Sequence, residues 1–136
     1  MNTEFYVDEK HPQINDNVVY LHISNINSID NATCMSIELN DCLDYVQERP
    51  QMLQAVVQKL RIDGVLSLTG VDFDAVTYNY DSGLLNLSQA QQLLYFGKTS
   101  VDTLGNMTNQ IKAHGLKIVK QSLNNNQYFI VAQRNE

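Results

Sequence analysis

Leu60-Arg61-Ile62-Asp63-Gly64-Val65-Leu66-Ser67-Leu68-Thr69-Gly70-Val71-Asp72-Phe73-Asp74-Ala75-Val76 decides the fold. Asp63-Gly64 is stop-and-turn chemistry, so a helix ends there. Val65 to Thr69 then reads as a short buried strand. Val71-Asp72-Phe73-Asp74 leaves its C-terminal end as an acidic loop. Helix, turn, strand and loop make one αβ unit, and open α/β sheets bind ligands at the carboxyl ends of their strands.

Upstream, Pro50 suits the first helical position, and the helix spans Gln51 to Arg61. Its apolar residues Met52, Leu53, Val56, Val57 and Leu60 recur at helical spacing. Cys34 to Leu39 reads as a buried strand after the polar loop Ser28 to Ala32. Asn17 to Ile23, rich in β-branched and aromatic residues, is another strand. Glu4-Phe5-Tyr6-Val7 is a short first strand ending at Asp8, and His11-Pro12 marks a turn. Downstream, Ser88 N-caps a helix that buries Leu93 and Leu94. Thr99 to Ala113 contains another helix, stopped at Gly115. Leu116 to Lys120 and Tyr128 to Ala132 form an antiparallel hairpin around Asn124-Asn125-Asn126.

The 136 residues read as one domain, with an apolar fraction of 43% that fits a soluble globular protein. No apolar run reaches the roughly 18 residues of a membrane span. Met1-Asn2-Thr3-Glu4 does not open a secretory signal. A net charge of −6 argues against nonspecific nucleic-acid or anionic-membrane binding. Cys34 and Cys42 have no CxxC or Cys/His partner, so they read as packed, reduced thiols of a cytoplasmic protein. No metal cluster, P-loop, G-x-S-x-G or Ser/His/Asp set is present. His11, His22 and His114 fall in a turn, a strand and a helix end.

Phe5 to Arg134 resembles class I S-adenosylmethionine-dependent methyltransferases, above all predicted ones associated with surface-glycan synthesis. In those proteins a helix runs into a Lys-Pro-Gly-Gly-type turn and a strand, then a Pro-Asp-Phe-Glu-type loop. Val71-Asp72-Phe73-Asp74 stands in that place here. Tyr6-Val7-Asp8 matches the strand whose terminal acid bonds the cofactor ribose, so the resemblance gives Asp8 that role; by itself it reads as a turn residue. Asn25, in His22-Ile23-Ser24-Asn25-Ile26, stands where an acid would meet the adenine amine, and its carbonyl oxygen accepts the same bond. Asp41-Cys42-Leu43-Asp44-Tyr45 matches a His-Val-Leu-Glu-His-type segment with both histidines replaced. Asp41 and Asp44 are the catalytic candidates there, though an exposed carboxylate is a poor base at neutral pH. Without the resemblance they read as a solvated acidic helix start. Lys98, in Leu94-Tyr95-Phe96-Gly97-Lys98 on the substrate side, reads equally as a solvated charge.

One departure dominates. The family holds the methionine end of its cofactor with a strand and a Gly-rich turn that opens a helix, so that backbone N–H groups reach the ligand. No G-x-G occurs in this sequence. The expected fold is a reduced, Rossmann-like class I methyltransferase α/β sandwich, missing the first strand and Gly-rich loop. Its sheet is mostly parallel and ends in the C-terminal hairpin. In the family the missing strand sits at the sheet centre, between those matching Phe5-Tyr6-Val7 and Cys34 to Leu39. The remaining strands must pair anew or leave edges exposed, and an open edge predicts self-association. Three functions follow. One is a methyltransferase-like interaction or regulatory module that binds S-adenosylmethionine weakly or not at all. Another is an active enzyme, acting on glycans, whose site is completed by another chain. The third is an unrelated small α/β binding or structural protein.

Overall fold

A computed structural model describes residues 2–6, 19–96 and 98–135. The strands are β1 (Asn2–Tyr6), β2 (Val19–His22), β3 (Cys34–Asn40), β4 (Leu60–Val71), β5 (Leu116–Asn124) and β6 (Gln127–Arg134). The helices are α1 (Arg49–Lys59), α2 (Phe73–Asp81), α3 (Leu87–Tyr95) and α4 (Leu104–Ala113). The six strands lie in the order β2-β1-β3-β4-β6-β5. The first four are mutually parallel, β6 runs antiparallel to β4, and β5 antiparallel to β6. This is the expected mixed α/β sheet.

The gap expected at its centre is closed. β1 pairs directly with β3, in the register Asn2↔Ser36, Thr3↔Ile37, Glu4↔Glu38 and Phe5↔Leu39. That register puts Phe5, Ile37 and Leu39 in one buried layer, so the pairing and the apolar pattern agree. The interior of the sheet therefore has no open edge among the described residues, and self-association by strand exchange loses that ground.

Alternation along the strands places the core. Leu66 and Leu68 of β4 and Tyr128, Ile130 and Ala132 of β6 are buried on one face. Leu53, Val56 and Val57 of α1 and Met107 and Ile111 of α4 cover that face. α2 and α3 pack on each other beyond the end of β4, around Val71, Val76 and Ala90. Cys34 and Cys42 are buried and not joined in a disulfide, as expected. No described helix is long and apolar enough to cross a membrane.

Several boundaries differ from the sequence reading. Val7, Asp8, Asn17 and Val18 lie outside the described residues. Asp63-Gly64 is not a turn between helix and strand. α1 passes straight into β4 at Leu60, and the register against β3 then jumps from Cys34↔Leu60 to Ser36↔Val65. Asp63 takes a positive φ of 67° inside this bulge. Gly64 is required there because a Cβ would lie 2.8 Å from the Arg61 carbonyl oxygen and 2.9 Å from that of Cys34. Arg134 donates to the Leu60 carbonyl at 2.6 Å and the Val57 carbonyl at 3.2 Å, holding the helix end and the bulge together. The acidic loop after β4 is in fact the start of α2, with Asp72 as N-cap. Asn86, not Ser88, caps α3, in a reciprocal capping box with Gln89. The hairpin is longer than expected on both sides.

Candidate functional site

Because β1 to β4 run parallel, their carboxyl ends share one edge of the sheet. Three described connections leave that edge: the 3-10 turn Ile23–Ser28, the segment Asp41 to Tyr45, and Asp72. From β1 the chain moves to β2 on one side, whereas β3 lies on the other. The seam between β1 and β3 is thus the topological switch point, where open α/β sheets form their binding crevice.

Asp8 lies outside the described residues. Asn25 is exposed on the 3-10 turn, where its backbone carbonyl accepts from the Ser28 hydroxyl at 2.7 Å. Asp41 leaves β3 at a positive φ of 60°. Its N–H donates to the Thr69 carbonyl at 3.1 Å, and its carboxylate accepts from Gln127 Nε2 at 3.2 and 3.3 Å. Asp41 is therefore tied to β4 and β6 rather than free in solution. Next to it, the buried Cys42 thiol donates to the Phe5 carbonyl at 3.0 Å. This bond draws the exit of β3 onto β1 and fills the end of the seam.

Asp44 corrects the expectation of a solvated acid. Its side chain is fully enclosed. Arg49 Nη2, from the first turn of α1, lies 3.2 Å from Asp44 Oδ1, and Lys98 Nζ lies 3.5 Å from Oδ2. The Val71 N–H donates to Oδ2 at 3.2 Å. The Asp44 carbonyl accepts from Thr99 N at 2.8 Å and Ser100 N at 3.2 Å. Arg49 Nη2 also donates to the carbonyl and hydroxyl of Ser100, both at 3.0 Å. Lys98, read as a solvated charge, is thus a buried partner. One acid pins the end of β4, the start of α1 and the loop between α3 and α4.

Burial pushes the Asp44 carboxyl above its usual range, while the Val71 N–H, Lys98 and Arg49 pull it back. The desolvation cost of a buried charge outweighs its pairing here. Tyr128 faces the same cluster, its buried hydroxyl without a hydrogen-bond partner. Burial, then the Asp44 carboxylate, raises its pKa. In this structure the carboxylate lies between two cations and one backbone N–H, and its bonds position the segments that carry them.

Asp72 is a second positioning acid that the sequence reading placed in a loop. One oxygen accepts from Ala75 N at 2.8 Å and the other from Leu104 N at 2.8 Å, so a single side chain caps α2 and takes the first N–H of α4. A shallow cavity of about 490 Å³ opens between those two helix starts and the hairpin, beside Tyr78, Gly105 and Leu123. A smaller apolar cavity of about 190 Å³ lies between α2 and α3, lined by Val76, Tyr80, Leu87, Ala90, Leu94 and Tyr95. A third, of about 350 Å³, lies beside the 3-10 turn against Ile26, Val46 and Met52. None of the three is lined by Asn25, Asp41 or Asp44. No group of three or more metal-ligating side chains occurs among the described residues.

These residues do not fit an S-adenosylmethionine site of the usual plan. The methionine end needs backbone N–H groups on a Gly-rich turn between the strands that here are β1 and β3. Those strands are hydrogen-bonded to each other, and Cys42 fills the end of their seam.

No family model matches this sequence, and no curated protein matches it. Solved structures do match its fold. A protein from Listeria monocytogenes assigned as an S-adenosylmethionine-dependent methyltransferase superposes with a TM-score of 0.69 at 12% identity, over 98% of this chain and 80% of its own. A Methanosarcina mazei S-adenosylmethionine-dependent methyltransferase gives 0.66 at 13% identity, over 97% and 81%. A Thermotoga maritima S-adenosylmethionine-dependent methyltransferase gives 0.63 at 10% identity, over 86% of this chain. The chain spans 63% of the length of that last protein. At such identities the likeness is one of fold: the chain has the class I methyltransferase fold.

Proposed function

We propose that this chain is a methyltransferase-fold module that does not hold S-adenosylmethionine by itself and acts through contact with other protein chains. The observation that carries this reading is the direct pairing of β1 with β3, sealed by the Cys42 thiol on the Phe5 carbonyl. That seam is where the fold otherwise seats the strand and turn that cradle the cofactor. Asp8 and Asn25 at best contact ribose and adenine. The charged methionine end is left without partners for its desolvation. Methyl transfer by the chain alone is not expected either, since a donor displaced by about 1 Å can cost about a hundredfold in rate.

Calorimetry of the pure chain with S-adenosylmethionine tests the reading. No saturable heat up to millimolar ligand is the expected result. A low-micromolar dissociation constant abolished by Asp8→Ala or Asn25→Ala overturns it and promotes an active methyltransferase, with glycans as the first acceptors to assay.

A further inference from the structure

Mostly parallel sheets are normally covered on both faces, yet among the described residues the helices pack on one face or beyond the end of β4. The other face is built from rows that cross β3, β4, β6 and β5 in register. One row is Glu38–Ser67–Val131–Lys120, and the next pairs Thr69 with Phe129. Glu38 and Lys120 are exposed, the Lys120 ammonium lying 5.8 Å from the centre of the Phe129 ring, whereas Ser67, Thr69, Phe129 and Val131 are half-buried. The face is acidic toward β3, basic toward β5, and mixed small and large between β4 and β6.

We propose that this face docks on a second copy of itself, about a two-fold axis that runs parallel to the strands between β4 and β6. Only that direction of axis is self-complementary. It carries each row onto itself in reverse, so the Lys120 of one copy comes over the Glu38 of the other, twice. It also sets Val131 over Ser67 and Phe129 over Thr69, a large side chain against a small one at each crossing. An in-plane axis perpendicular to the strands instead brings Glu38 onto Glu38. Stacked sheets lie about 10 Å apart, a gap that extended lysine and glutamate side chains bridge. The balanced charges give no ground for an anionic partner such as nucleic acid or membrane. The inference is independent of the function proposed above, since an active enzyme can dimerise in the same way.

Sedimentation equilibrium of the full chain at low salt, around 100 μM, tests it. A dimer is expected. Glu38→Lys and Lys120→Glu, each at an exposed position and checked for folding by circular dichroism, each weaken it at least tenfold. The double variant Glu38→Lys/Lys120→Glu restores the wild-type constant. A monomeric wild type overturns the proposal, as does a dimer indifferent to the single changes or a double variant no tighter than the singles. Capture of this face by a different protein, with the wild-type chain itself monomeric, also counts against it.

Discussion

The phenol of Tyr128 crosses directly over the backbone of Gly70 on the neighbouring strand. A Cβ at Gly70 would lie 2.6 Å from the Tyr128 Cζ and nearer still to its hydroxyl. The two residues are register partners of β4 and β6, and Tyr128 is among the largest fully buried side chains. The missing side chain of one is the space that the other fills.

Gly70→Ala is therefore expected to cost about 1–3 kcal/mol by overpacking. Gly105→Ala is its control. Nothing lies within 4 Å of a Cβ there, and the position is helical, so the change should be neutral or stabilising by up to about 1 kcal/mol. Urea unfolding of both variants checks the contrast.

Leu66→Ala should destabilise by about 2–5 kcal/mol, because it empties a site in the middle of the core. Asp63→Ala should cost about 1 kcal/mol, since alanine tolerates the left-handed conformation poorly, while Asp63→Gly should cost nothing. Equal losses for the two Asp63 variants would mean that the carboxylate matters and the positive φ does not.

Asp44→Ala leaves Arg49 and Lys98 buried without their acid, and should cost about 3–5 kcal/mol. Asp44→Asn should cost less, because it still accepts from the Val71 N–H. The pH dependence separates the charge from the shape. The folded carboxyl titrates above its ordinary value of 3.8, so the native state holds the proton more tightly than the unfolded one. Stability from this group is complete below that value and is lost as pH rises to the folded pKa. The advantage of wild type over Asp44→Asn should shrink on going up from pH 4, then level off. Denaturation midpoints measured from pH 4 to 7 give the curve.

Asp72→Ala removes the N-cap of α2 and the acceptor of the first N–H of α4, whose own cap Thr103 remains. At about 0.5–2 kcal/mol per cap, it should cost more than Asn86→Ala, which frees only α3. Native-state hydrogen exchange should show both α2 and α4 loosened in the first variant and α3 alone in the second.

The sequence carried the parts of the fold that are fixed locally. The hairpin around Asn125 follows from turn chemistry, and α1 from Leu53, Val56 and Val57 at helical spacing. α2 is not legible in the sequence, because Val76 is its one fully buried residue and sets no apolar period. The bulge at Asp63-Gly64 looks like a turn because both need the same backbone conformation. Asp44 was legible as an acid but not as a buried one. Val71, Lys98 and Ser100 lie 27 to 56 residues away in sequence, and only the folded chain collects them. Asp41 reads as a solvated acidic helix start, but it leaves β3 tied to the hairpin's Gln127, a partner that only the folded chain brings to it.

The contact between β1 and β3 has a bearing on which sheets tolerate rearrangement. In a parallel sheet all strands point the same way, so any two of them are interchangeable neighbours. Bringing together two strands that another separates requires a sideways step of about 4.8 Å per strand and no reversal of the chain. The antiparallel half of this molecule has no such freedom, because skipping β6 would set β4 against β5, two strands that run alike where the hairpin demands opposites. Editing by whole strands is thus open to one half of the sheet and closed to the other, and the polarity of the chain draws the line between them.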